Sequence, residues 1–178
     1  TGALARIDKP VVWTLRDMWP FTGGCHQSTG CDRFTGECGH CPQLGSVKDS
    51  DLSRYILRRK QRSLPRHLRV IGISTWISEL AARSSVFSGS QVDTISNNVD
   101  TRAFEPADPR VARQALGIDD GRKVVLTVAP RVTQSYAETY KGFDLFQEAV
   151  AELDSDELHV LMFGSESARL DVRAASVT

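Results

Sequence analysis

Four cysteines, Cys25, Cys31, Cys38 and Cys41, fall within seventeen residues, and the chain has no others. Their spacing is C-x5-C-x6-C-x2-C. Four thiolates this close can surround one tetrahedral Zn²⁺, and the closing C-x2-C pair is the strongest part of the pattern. The first interval is wider than in a usual knuckle, so His26 and His40 stand as alternative ligands. Four protein ligands leave no open coordination position, so such a zinc would be structural and not catalytic. The ordinary counterpart is a set of reduced thiols packed as small hydrophobes, or adventitious disulfides. The rest of the chain lacks cysteine and reads as an ordinary αβ protein, which favours a local metal site or free thiols over a disulfide framework.

The cations form a second group. Lys141 stands just before an expected helix and beside Gly142, which lets an anion approach the backbone. Arg131 lies just beyond an expected strand, at the edge where doubly wound sheets bind ligands. Both have a plain alternative as solvated surface cations. Arg58-Arg59-Lys60-Gln61-Arg62, continued by Arg66, His67 and Arg69, is the one basic cluster. It is either a solvated helix face or a contact, over residues 58–69, with anionic lipid or a lipid-linked diphosphate. Gly23-Gly24 either lets a loop approach a ligand or serves turn geometry alone.

The elements that must position these groups are read from pattern. Short β-branched or aliphatic runs predict buried strands at 9–15, 68–74, 92–95, 123–129 and 158–163. Apolar residues at helical spacing predict helices from Leu52 towards Lys60, over 76–83 and over 142–153. A short helix over 109–116 has Pro109 at its first turn and Gly117 after its end. Asp49-Ser50-Asp51, and Ser74 or Thr75, supply N-caps. Strands alternating with helices imply βαβ units and parallel sheet. Residues 16–46 are rich in Gly, Cys, Pro, Thr and Ser and read as one long Cys-rich loop, of the kind that is functional or held by a staple. The linker near 98–108 is the best boundary candidate.

Across 178 residues, 22 basic and 22 acidic side chains balance, so no global field recruits nucleic acid or a membrane. No apolar run approaches the ~18 residues of a spanning helix. The opening residues lack an initiator Met and a signal-peptide core, so the chain reads as a piece of something longer or as processed, with a cytosolic setting as the default.

Trp13-Thr14-Leu15-Arg16-Asp17-Met18-Trp19-Pro20-Phe21-Thr22-Gly23-Gly24-Cys25-His26 resembles a stretch of the retaining glycosyltransferases of family 4, in the subgroup that builds bacterial surface polysaccharides. Cys38-Gly39-His40-Cys41-Pro42-Gln43-Leu44, Ser74-Thr75-Trp76-Ile77, Asn98 to Pro106 and Lys141-Gly142-Phe143 match in the same order. The resemblance spans nearly the whole chain. It implies an α/β protein of GT-B type with two Rossmann-like halves, both incomplete here. Residues 1–100 would be the end of the acceptor-side half and residues 101–178 the start of the nucleotide-sugar half. The opening strands of the first half and the later paired-glutamate segment of the second are absent.

The same resemblance implies transfer of a sugar, with retention, from a nucleotide-diphosphate-sugar to a glycan or polyprenyl-linked acceptor, at the inner face of the membrane. No catalytic metal is required, because fixed cations or helix N-termini hold the charge that grows on the leaving diphosphate. Lys141, Gly142 and Arg131 suit that role. Arg16-Asp17 stands where the family has His-Asp near the transferred sugar. Arg16 departs from that pattern: an Arg is no base at neutral pH, but it grips a phosphate or carboxylate with two prongs. Asp17 orients Arg16 or caps the local backbone. Two other readings stay open: a zinc-stabilised nucleic-acid or protein binding module, and an inert scaffold lacking its catalytic segments.

Overall fold

The computed structural model describes residues 3–65, 67–118, 121–128, 142–153, 157–163 and 176–177. It is an α/β structure with two small parallel sheets, each a partial Rossmann-like half. The chain divides into two compact units, Thr1–Asp100 and Thr101–Thr178.

In the first unit, β1 (Val11–Leu15), α1 (Leu52–Gln61), β2 (Leu68–Gly72), α2 (Thr75–Arg83) and β3 (Gln91–Thr94) follow in order. The sheet order is β1-β2-β3, all parallel, with Val11 opposite Leu68 and Arg69 opposite Gln91. Parallel neighbours need crossovers, and α1 and α2 supply them. Asp51 caps α1: its Oδ1 accepts from the backbone N of Ser53 at 2.9 Å and of Arg54 at 3.2 Å. Hydrogen bonds from the Ser53 hydroxyl first, and then from the Cys41 amide, hold the Asp51 carboxyl well below the usual carboxylate range. Ser74 caps α2 by accepting from Ile77 N.

The core gathers Leu15, Leu57, Leu68, Val70, Ile77 and Phe87 from the regular elements and their turns. It also takes Met18, Phe21 and Phe34 from the long loop, which is a packed segment punctuated by 3-10 turns. Phe21 packs at 5.7 Å from Phe34 and 6.0 Å from Phe87, measured between ring centroids. Offset and edge contacts of this kind add to the area that the rings bury. The loop is therefore held chiefly by its own apolar residues.

In the second unit, α3 (Pro109–Ala115) precedes β4 (Lys123–Val128), α4 (Phe143–Leu153), β5 (Leu158–Phe163) and β6 (Ser176–Val177). All pairings are parallel, in the order β4-β5-β6, with Lys123 opposite Leu158 and His159 opposite Ser176. The two-residue β6 has no counterpart in the sequence reading. Asp108 caps α3 through Arg110 N at 2.8 Å, and Arg113 donates to Arg122 O at 2.9 Å, tying α3 to the start of β4. Val150 and Val160 are buried against each other, with Phe146 and Met162 beside them.

Candidate functional site

β1 ends at Leu15 and β3 at Thr94, so the residues that follow both strands emerge at the carboxyl edge of the first sheet. Arg16 follows β1 directly, and its Nη1 donates to Asn97 Oδ1 at 3.4 Å. Asp17 comes next. Its Oδ1 accepts from Trp19 N at 2.8 Å, and its Oδ2 meets His26 Nδ1 at 2.8 Å. A carboxylate only accepts, so Nδ1 carries a proton, and in the neutral imidazole Nε2 then presents a lone pair outward. The His26 side chain is 69% exposed. Its backbone is also fixed, because Met18 N donates to His26 O at 3.0 Å.

The local sequence explains how two residues nine apart meet. Gly23 turns the chain back against α1: a Cβ there would lie 2.5 Å from Ser53 O and 2.8 Å from Ser53 Cβ. No other residue fits that approach, so Gly23 seats the loop on the helix. Buried Thr22 then accepts from Gly24 N and donates to Cys25 O at 2.8 Å, closing the turn that delivers His26. Gly24 faces open space. Asp17 thus orients His26. No spacing rule links residues 17 and 26, so the sequence offers His26 as a metal ligand and gives no sign of this partnership.

The four cysteines come together elsewhere on the same loop. Cys25, Cys31, Cys38 and Cys41 border one small cavity of about 20 Å³, with Arg33, Gly39 and Ser53 on its wall. All four are free thiols. Burial, then the neighbouring Cys41, Cys38 and Cys31 sulfurs, push the Cys25 thiol up to about 11. Burial likewise raises Cys38. With the side chains so placed, no group of three or more His, Cys, Asp or Glu among the described residues stands ready to hold a metal ion. His26 and His40 do not border the cavity; His40 lies 3.6 Å from Asp49.

The basic cluster divides. Arg58 pairs with Glu37 at 3.1 and 3.2 Å, and Arg69 lies 3.6 Å from Asp93. Lys60 is 2% exposed and so leaves the solvated face altogether. Its amine donates to Thr22 O at 3.0 Å and to Trp19 O, and it lies 3.9 Å from the centroid of the Trp19 ring. Burial pulls this ammonium down to about 8, against the opposing pull of Cys38, Cys25 and Asp17. Arg54, Tyr55, Arg58, Arg59 and Arg62 line a groove of about 470 Å³ along α1. Arg66 lies outside the described residues.

In the second unit, Gly142 takes a φ of +69° immediately before α4, and Phe146 N donates to its carbonyl at 3.0 Å. Lys141 and Arg131 lie outside the described residues. No described helix is long and apolar enough to cross a membrane.

The chain is similar to a glycosyl transferase of Escherichia coli (strain K12). That protein, WcaC, is provisionally named for colanic acid biosynthesis, and the two are 30% identical over 97 residues. The match covers 52% of this chain and 24% of the relative, so the chain spans about a quarter of that protein's length. No family model and no solved structure matches.

Proposed function

We propose that this chain is part of a retaining glycosyltransferase of family 4 type, which moves a sugar from a nucleotide-diphosphate-sugar to a glycan or polyprenyl-linked acceptor. The observation that carries the reading is the group Arg16, Asp17, His26 and Asn97 at the carboxyl edge of a parallel sheet. The likeness to a glycosyl transferase supports it. Arg16 provides a two-pronged cation for a phosphate or carboxylate. His26, oriented by Asp17, takes a hydrogen bond from a sugar hydroxyl through Nε2, and the departing phosphate accepts the acceptor's proton on the same face. Lys141 and Arg131, with the Gly142 backbone, hold the growing charge of the leaving diphosphate. The α1 groove bearing Arg59 and Arg62 faces the diphosphate of a lipid-linked acceptor at an anionic membrane surface.

The test is a thermal-shift comparison of uridine or guanosine diphosphate with a short oligonucleotide. Stabilisation by a nucleotide diphosphate, lost in Lys141→Ala, is the expected outcome. Stabilisation by the oligonucleotide alone would replace this reading with the binding module.

A further inference from the structure

We propose that Cys25, Cys31, Cys38 and Cys41 bind one zinc ion, which acts as a structural clip for the loop of residues 16–46. The first support is convergence. Four sulfur-bearing side chains, drawn from three separate turns of the loop, border a single cavity of about 20 Å³. Roughly 10–15 Å³ holds one water, so this space suits one ion. The thiols are unpaired and do not yet form a closed ligand set. All four residues border the cavity, and closing the set requires their side chains to turn towards its centre.

The second support is the frame behind the sulfurs. Cys41 N donates to Asp51 Oδ2 at 2.9 Å, and Gly39 N donates to Ser53 Oγ at 3.0 Å. The Arg54 guanidinium donates twice to Cys38 O, each at 3.3 Å. Cys38, Gly39 and His40 all have positive φ, a run that bare loop energetics disfavour. A Cβ on Gly39 would collide with Asp49 O. The Cys38–Cys41 turn is thus clamped onto the capped start of α1, as outer supports of a metal site are expected to be.

The third support is charge. Four thiolates around Zn²⁺ leave two net negative charges in a half-buried place. Lys60 is a buried ammonium with carbonyl and ring partners, and no carboxylate lies within ion-pair distance of it among the described residues. Buried charges without counterions are costly. With zinc bound, the cysteine cluster would supply the opposite charge that Lys60 lacks, in keeping with the pull of Cys38 and Cys25 on that ammonium. Arg33 on the cavity wall adds to the same complement.

The test uses the whole chain, purified anaerobically under reducing conditions. Elemental analysis is expected to find one zinc per chain. Exchange with cobalt should produce the tetrahedral ligand-field bands and thiolate-to-metal charge transfer of an S4 site. Chelation should lower the melting temperature by roughly 8 °C or more, the shift expected for loss of a structural metal in a unit of this size. Serine at Cys25 or Cys41 should abolish the charge-transfer pattern, while C25H should retain a blue-shifted one. The cobalt spectrum of the unaltered chain decides the matter even where a variant fails to fold. Four freely titratable thiols with cobalt only in its aqua form, disulfides surviving reduction, or stoichiometric iron would each overturn the assignment.

Discussion

Cys25 and His26 are adjacent in sequence and face opposite surroundings. Cys25 borders the small cavity with the other three cysteines, whereas His26 is 69% exposed and leans on Asp17. One stretch of loop therefore has an inward face that holds and an outward face open to solvent. Substitutions on the two faces should separate along the same line. The largest expected effect on activity is His26→Asn, assayed in the complete polypeptide that carries this sequence. Loss of the hydrogen bond from a sugar hydroxyl to the oriented Nε2 should lower the transfer rate by about 10–100-fold, with the melting temperature unchanged. Unchanged transfer would reduce the Asp17–His26 pair to a loop tie.

On the inward face the expected effect is on stability. Phe21 is fully buried between Phe34 and Phe87. Phe21→Ala should cost about 3–5 kcal/mol in urea unfolding, because the loop loses the ring that fastens it to the core. A cost under about 1 kcal/mol would mean that apolar packing is not what fastens the loop.

The fold is legible in the sequence wherever local pattern decides. β1, β2, β4 and β5 announce themselves as short β-branched or aliphatic runs, and the Asp51 and Ser74 caps stand where the local pattern places them. A helix cap involves residues two or three apart, so its signal is written locally. The candidate site is less legible because its bonds span distance. Asp17 reaches His26 across a turn fixed by the approach of Gly23 to α1, and Arg16 reaches Asn97 across the sheet. Lys60 reads as one more cation of a basic run. Only folding reveals that its position turns inward to Thr22, thirty-eight residues away. The loop reads as irregular because 3-10 turns have no long apolar period, although Met18, Phe21 and Phe34 place it in the core.

A smaller effect joins the two faces. Asp51 caps α1 and holds Cys41 N, so it couples helix start to cysteine turn. Asp51→Ala should lower stability at neutral pH, as loss of an N-cap does. The sign with pH follows from its lowered folded-state pKa. The contribution is fully present above the ordinary value of 3.8 and is lost as pH falls through the lower folded value. The stability gap between parent and variant, followed by unfolding at several pH values, should therefore narrow below about pH 4. A gap independent of pH would mean that the carboxylate charge is not what caps the helix.

The smallest effect tests whether the surface cations of α1 support the loop. Glu37 bridges Arg54 at 3.3 Å and Arg58 at 3.1 Å, between the cysteine turn and the helix. Its side chain is more than half exposed, so screening by water and salt dominates. Glu37→Gln should cost only about 0.2–1 kcal/mol, and the difference should shrink as salt is raised. A larger, salt-independent loss would mean that this bridge braces the turn as firmly as buried packing does. The same substitution frees Arg58 to join Arg59 and Arg62 in the groove, so it should strengthen binding to vesicles containing anionic lipid if that groove meets a membrane. Unaltered vesicle binding would leave those arginines as a solvated helix face.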